Sequence, residues 1–502
     1  MSYKQKAFEG ISWNFMLRVL AGPIGYGVRM LYANYLPKTE VGLFYAMLDL
    51  LSILAVFRGL GVSYSLSVFI PKFKAKNDYK SIKSSVNFVF LFQTAFMLLM
   101  VALLLLLSPY VVNNYLNSTG QYTSNLLIAF DAFMIMVVGY FFFEGILNIL
   151  RNILTGFQKQ KYLATIIPSN ITSIFLISVI LLFLGVNNVF VPVIAYSLVP
   201  ILLIIIYGYL IFKKVYPEYF STKSKISKDL SSQLLKFGVP LTLNSATSVI
   251  LTCIDGVFLT IFTGLIAVAE YRNVATPTVT LLNMAVISIS VVLLPIISEL
   301  WTRDKLKELN YAITNVFKYL MAMTLPLIIF LSYYTSEFIT VFFNSSYLPV
   351  ADAVRVLMAS TLLSSINTIC FTILVGLGKP QIVTKFLYVG VLVNIILNFL
   401  LVPPFGSLGA AITTLISYMI IQVLIGKYIK KNMKLEIKYK ESFKLIIIGL
   451  LSLIPGILLN NFISLDLWKL LAGSIVYLVT YLMMVFGLKI IDIEEIISLV
   501  KK

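Results

Sequence analysis

The chain has 502 residues, 59% of them hydrophobic and 12% charged, with a formal net charge of +18 and a mean hydropathy of +0.95. No soluble protein of this length has core enough to hide that much apolar side chain. Apolar runs of about 18–26 residues specify membrane-spanning helices, and the alternating ten-residue strands of a transmembrane barrel are not seen.

Histidine is absent, which excludes imidazole metal sites and histidine proton relays. Cys253 and Cys370 both fall in apolar runs and read as small buried hydrophobes. The N-terminal lysines lead into a long apolar run without an Ala-x-Ala site, so the start reads as a retained first helix and not a cleaved signal.

In chain order the sequence predicts about fourteen apolar helices, near 11–36, 41–69, 85–107, 125–150, 162–184, 189–212, 237–262, 268–298, 311–332, 350–377, 381–402, 407–428, 443–461 and 467–488. With the N-terminus in the cytoplasm, 31 of the 39 Lys and Arg fall in segments on the inner side, and only Lys38 and Lys469 fall on the outer side. The alternation holds to the end of the chain, which predicts both termini in the cytoplasm. Two Asn-x-Ser/Thr triplets, at Asn117 and Asn344, fall in outer loops and agree with it.

The chain repeats itself weakly. ILTGFQKQKYL (153–163) aligns with ILVGLGKPQIV (373–383), and FEGISWNF (8–15) with KFGVPLTLN (236–244). Two copies of a six-helix unit follow, in the same orientation, with a cleft between them as the substrate path. The expected organisation is an N-lobe over 1–212, a lysine-rich, mobile cytoplasmic linker over 213–236, a C-lobe over 237–428, and two appended helices with a cytoplasmic tail over 429–502.

The six bases inside helices are Arg18, Arg29, Arg58, Arg272, Lys318 and Arg355. Five of the seven arginines are there, against one of thirty-two lysines, and orientation signals do not explain that split. Arginine keeps its charge when buried and offers a planar fork that fits phosphate with two hydrogen bonds. Arg18 and Arg29 are eleven residues apart, about three helical turns, so Asn14, Arg18, Gly25 and Arg29 form a polar or small stripe on the first helix. Gly22 and Pro23, in the middle, are expected to loosen or kink it. Helix 7 carries a similar stripe, Asn244, Ser248 and Asp255. Depth pairs Arg29 with Asp49 and Arg272 with Asp255, one ion pair per lobe. Each pair either belongs to the transport path or only offsets its own burial and fixes packing. Arg18 and Arg58 lack an acid at their depth and read as cavity residues. Arg355 with Asp352, and Lys318, lie near helix ends and read as snorkelling to the surface. No Walker-type phosphate loop occurs and the outer loops are short, which disfavours an ATPase and a membrane glycosyltransferase.

Three stretches resemble the polysaccharide transporter and flippase branch of the multidrug/oligosaccharidyl-lipid/polysaccharide (MOP) exporter superfamily. They are LYANYLPKTEVGLFYAMLDLLSILAVFRGLGVSYSLSVFIPKF (31–73), LLKFGVPLTLNSATSVILTCIDGVFLTIFTGLIAVAEYRNVATP (234–277) and VGLGKPQIVTKFLYVGVLVNIILNFLLVPPFGSLGAAITTLISY (375–418). The resemblance implies an all-α polytopic membrane protein, V-shaped and MATE-like, working by alternating access. It implies as cargo a glycan on a polyprenyl phosphate or pyrophosphate, with cavity arginines on helices 1, 2 and 8, where Arg18, Arg29, Arg58 and Arg272 stand. Arg272, where small residues are commoner, and Pro23 depart from the pattern.

The function expected is therefore a flippase for a lipid-linked oligosaccharide in surface polysaccharide or glycoprotein biosynthesis, not an enzyme. Arg18, Arg29, Arg58, Arg272 and Asn14 are the expected phosphate-binding residues, and Asp49 and Asp255 the ion-pairing or coupling acids. The alternative is a cation-coupled multidrug exporter of the same superfamily, which favours an acid-centred cavity. Partners expected are the lipid-linked glycan, membrane lipids and glycan assembly enzymes, with no nucleic acid and no cofactor, for a monomer in the cytoplasmic membrane.

Overall fold

The computed structural model describes residue 17 and residues 21–122, 125–432, 439–488 and 490. These residues are helices and turns, with no strand among them. Among the described residues nine helices are long and apolar enough to cross a membrane, or ten if a bent pair, Lys228–Thr242 and Ala246–Phe262, is one span. The chain is a multi-pass membrane protein. Its described residues divide into two compact units, one ending at Asn273 and the other beginning at Val274.

The first unit opens with helix α1 (residues 21–35), which stays helical through Gly22 and Pro23. Gly25 and Gly27 face Ile171 and Phe175, and a methyl at either would make an ordinary contact at 3.6 Å. Helix α2 (Lys38–Ala55) follows, then α3 (Val62–Ala75). The sequence reads 41–69 as one helix, but the structure breaks it at 56–61, where Leu60 and Gly61 take positive φ of 42° and 65°. Neither position tolerates a helix, and Gly61 is further fixed because a Cβ there would lie within 2.4 Å of the Gly238 carbonyl. Arg58 thus sits in a turn inside the bundle.

Helix α4 spans Tyr79–Leu116, ending in a π-helical turn. Helix α5 (Leu126–Gly156) contains a π-helical stretch, Met136–Phe142. Helices α6 (Gln160–Phe183) and α7 (Phe190–Val215) complete the hairpins. A short helix α8 (Glu218–Ser221) leads to α9 (Lys228–Phe262). Helix α10 starts as Leu265–Ala269, passes through a π-helical Glu270–Ala275 and continues as Thr276–Thr302.

The linker over 213–236, expected to be mobile, is pinned. Lys83 Nζ donates to the carbonyls of Tyr219 (2.6 Å) and Thr222 (2.8 Å), and Ser84 Oγ to that of Lys225 (3.0 Å). Tyr216 and Tyr219 donate their hydroxyls to the Tyr79 carbonyl and to Asn87 Oδ1. Its polar backbone and aromatic rings find partners at the start of α4, which the lysine content alone does not reveal.

The second unit holds the rest of α10, α11 (Leu306–Tyr333), α12 (Thr335–Phe342), α13 (Ala351–Gly376) and α14 (Pro380–Asn432). Gly406 (φ 53°, ψ −130°) interrupts α14 beside Pro403 and Pro404, where the sequence separates two helices. One core joins Val286, Ile297, Phe317, Ile373 and Ile421. Helix α15 (Tyr439–Leu451) is followed by α16 (Leu453–Asn460) and α17 (Asp466–Gly487), and α15 and α17 build a second core with α11 through Met321, Leu325, Leu445 and Val485. Tyr481 closes it by donating to the Ala322 carbonyl at 2.9 Å. Cys253 and Cys370 are buried free thiols.

The sequence repeat has a backbone counterpart. At 153–159 the amides of Phe157, Gln158 and Lys159 donate to the carbonyls of Ile153, Thr155 and Leu154. At 373–379 the amides of Leu377, Gly378 and Lys379 donate to those of Ile373, Val375 and Leu374. Both are Schellman-type helix ends whose left-handed residue, Gln158 or Gly378, occupies the same place in the aligned segments.

Candidate functional site

Two arginine-centred clusters lie in the first unit. In the first, Arg29 on α1 reaches into α2 and α10. Its Nη1 donates to Tyr45 OH (3.1 Å) and to the Arg272 carbonyl (2.5 Å), and its guanidinium carbon stands 5.2 Å from the Tyr45 ring centroid. Tyr45 OH donates in turn to Asn273 Oδ1 (3.0 Å), and Asn273 Nδ2 to the Arg29 carbonyl (3.0 Å). Arg272 Nη2 donates to Asp49 Oδ1 (2.5 Å), and Nη1 to the Thr252 carbonyl (3.1 Å). Asp49 is fully buried, and the Arg272 side chain is 16% exposed. Tyr271 OH donates to Asp255 Oδ2 at 2.9 Å.

The depth-based pairing is corrected here. It is Arg272 that meets Asp49, while Arg29 binds a hydroxyl and a carbonyl. Depth fixes the height of a residue but not its direction around the helix axis. Adjacent residues 271 and 272 project in different directions around the helix axis, and it is Tyr271 whose side chain donates to Asp255. Close approach makes the Asp49 contact feasible: a Cβ on Gly256 would lie 1.8 Å from Asp49 Oδ2. Nearer the end of the same helices, Lys38 Nζ pairs with Glu270 at 2.7 Å. Ser118 Oγ donates to the Thr260 carbonyl and Gln121 Nε2 to that of Thr263, which ties the 117–122 loop to the α9–α10 turn.

The second cluster is built on the break between α2 and α3. Arg58 Nη1 donates to the Phe141 carbonyl (3.1 Å), and its guanidinium carbon lies 5.9 Å from the Phe141 ring centroid. A Cβ on Gly145 would meet Arg58 Cδ and Nε at 3.4 Å, so the arginine lies across this glycine. Next to it, Glu144 accepts from Arg151 Nη1 at 2.6 Å. Both Arg29 and Arg58 therefore bond a carbonyl in a π-helical stretch, at Arg272 and Phe141.

Arg18 and Asn14 lie outside the described residues, as does the side chain of Asn244. Arg355 is half-exposed and pairs with Asp352 at 2.6 Å, in keeping with an outward-reaching side chain. The structure adds residues that sequence reasoning missed: Tyr45, Tyr271 and Asn273 in the first cluster, and Arg151 in the second. Arg151 had an available signal, since Glu144 and Arg151 are seven residues, two turns, apart and share a helix face.

Comparison with known proteins agrees with this architecture. Residues 7–301 match the family described as Polysaccharide biosynthesis protein. The chain is 40% identical over 503 aligned residues to the Uncharacterized membrane protein MJ1068 of Methanocaldococcus jannaschii, covering 100% of this chain and 99% of the relative. It is 22% identical over 147 residues to the Probable low-salt glycan biosynthesis flippase Agl15 of Haloferax volcanii, covering 29% of this chain and 31% of that protein. Among solved structures, the Lipid II flippase MurJ in an inward closed conformation shares the fold with a TM-score of 0.75, at 18% identity over 94% of this chain and 98% of that one. An inward-facing multidrug resistance MATE family transporter of the MOP superfamily gives 0.66, at 15% identity over 83% and 94%. With its family match and its full-length relative, the chain belongs to the polysaccharide biosynthesis protein family.

Proposed function

We propose that the protein is a flippase that moves a glycan on a polyprenyl phosphate or pyrophosphate across the cytoplasmic membrane by alternating access. The observation that carries this reading is the state of Arg29 and Arg58. Each lies inside the apolar bundle, bonded to a backbone carbonyl, with no carboxylate within ion-pair distance among the described residues. A charge at the centre of a membrane helix costs about 2.5–3.5 kcal/mol, and a phosphate met bidentately offsets it. Discontinuous helices commonly build such sites, and the α2–α3 break beside Arg58 supports the same reading. The flippase named among the relatives and the flippase fold support the same reading.

In this reading the two clusters divide the work. Arg58 receives the lipid phosphate, with Arg18 and Asn14 as further wall residues on the register of the first helix. Arg29, Arg272, Asp49 and Asp255 hold α1 and α2 against α9 and α10 at the outer end, and that latch opens as the path turns outward. The six-plus-six division over 1–212 and 237–428, with both termini cytoplasmic, is the proposed frame for that motion.

The test is transport in proteoliposomes carrying a polyprenyl-pyrophosphoryl oligosaccharide, with lectin access to the outer face as the readout. Wild type exposes the glycan over time, and Arg58→Ala does not, although it folds. Flipping at the wild-type rate by Arg58→Ala, or uptake of a lipophilic cation without glycan movement, overturns the proposal.

A further inference from the structure

A cavity of about 140 Å³ lies in the first unit, lined by Tyr140, Glu144, Arg151, Asn170 and Tyr196 among others. At about 30 Å³ per water it holds four or so waters, or one phosphate group. Two guanidinium groups, Arg58 and Arg151, lie near one carboxylate, that of Glu144, which pairs with Arg151 alone. The pair distance to Arg151 is 2.6 Å, while Arg58 lies across the adjoining Gly145. The cluster is left with one net positive charge.

The hydrogen bonding is also incomplete. Among the described residues, Glu144 Oε2 and Arg151 Nε are buried without a partner, and Arg58 makes one hydrogen bond, to Phe141. Buried polar groups of this kind normally find partners, so the arrangement is one a ligand completes. A cation is opposed by both arginines. An anion is favoured, and its oxygens meet guanidinium, phenol and amide donors around one space.

We infer that Glu144 is a resident counter-ion, holding Arg151 and offsetting Arg58 in the empty protein, and that the substrate's phosphate displaces it. The inference rests on the flippase reading above and adds Arg151 to the phosphate site. On displacement the carboxylate turns to the other donors of the cavity, the Tyr140 hydroxyl and the Asn170 amide.

Opposite signs at two residues in contact provide the test. The purified protein in detergent is titrated with dolichyl phosphate, with dolichol as the control, and thermal stabilisation is read. Glu144→Gln, which keeps the shape and removes the competing charge, binds dolichyl phosphate roughly tenfold tighter. Arg151→Gln binds it more weakly. A pair that is only structural lowers the melting temperature in both variants and moves neither affinity, and that result overturns the inference. So does a tighter Arg151→Gln or a weaker Glu144→Gln. If Glu144→Gln does not fold, the Arg151→Gln affinity decides alone: an unchanged value overturns the inference. Wild type stabilised no more by dolichyl phosphate than by dolichol overturns the phosphate-lipid reading itself, so the two failures are distinct.

Discussion

The Arg272–Asp49 pair joins residues 223 positions apart, and its removal gives the sharpest test of the latch. Asp49→Asn keeps the shape and deletes the charge, leaving Arg272 with the Thr252 carbonyl. Arg272→Gln leaves Asp49 buried, facing the like charge of Asp255. Breaking a buried ion pair by removing one partner costs about 3–5 kcal/mol, and Asp49 is fully buried. Each single variant is expected to lose that much. The double variant, with neither charge, recovers about 2 kcal/mol or more relative to the sum of the singles. The assay is equilibrium unfolding in mixed micelles, with helix content read by circular dichroism across a series of denaturing detergent fractions. Losses below about 1 kcal/mol in the singles, or strict additivity in the double, refute the coupling.

Gly256→Ala puts a methyl 1.8 Å from Asp49 Oδ2 and is expected to cost about 1–3 kcal/mol, whereas Gly208→Ala, with nothing within 4 Å, is neutral or gains a few tenths in the same unfolding assay. Asp78 caps α4 by accepting from Ser81 Oγ (2.6 Å) and Ser81 N (3.0 Å), and Asp78→Ala costs about 0.5–2 kcal/mol at neutral pH. Those hydrogen bonds hold the Asp78 carboxyl below its usual value, so its stabilisation is complete above about pH 4 and is lost as pH falls through the lower folded value. The gap between wild type and variant should close in acid, and a gap constant to pH 2 contradicts the capping account. Lys83→Ala removes the donor to the Tyr219 and Thr222 carbonyls and should speed limited proteolysis between 222 and 227, while an unchanged cleavage rate means the linker is held by its tyrosines alone.

Much of the bundle is legible in the sequence because lipid admits few backbone solutions. Apolar run lengths locate most spans, and Pro403, Pro404 and Gly406 mark the division of α14. The segments 153–163 and 373–383 carry the repeat down to the hydrogen bonds of their helix ends. Less is legible where geometry departs from the α-helix. The π-helical stretches at Met136–Phe142 and Glu270–Ala275 have ordinary apolar or mixed sequences, and nothing in them announces an inserted residue. The break at 56–61 carried a signal in Gly59 and Gly61 flanking Leu60, but the surrounding apolar run read as continuous. Ion pairing failed for a related reason. Arg29 and Arg272 stand at similar depth beside Asp49, and only the rotation of α10 through its π turn decides which one reaches it.

The π stretches and the arginines are parts of one device. A π turn shifts the hydrogen-bond register by one residue, which disturbs backbone pairing in a medium with no water to repair it. A guanidinium supplies the donor: Arg58 to the Phe141 carbonyl, Arg29 to that of Arg272. Arg29 uses the same nitrogen for Tyr45, and Arg272 divides its two terminal nitrogens between Asp49 and Thr252. A lysine, a point charge on a flexible stem, cannot hold such divergent acceptors at fixed geometry. At Arg29 and Arg58 this gives arginine a role in the spans that lysine does not fill. It also separates the two clusters. The guanidinium of Arg272 is tied to an acid, which in the proposed reading suits this cluster to a latch. Arg58 is tied only to a carbonyl, beside a carboxylate already held by Arg151, and an anion entering there gains a charge that the resting protein leaves unmatched.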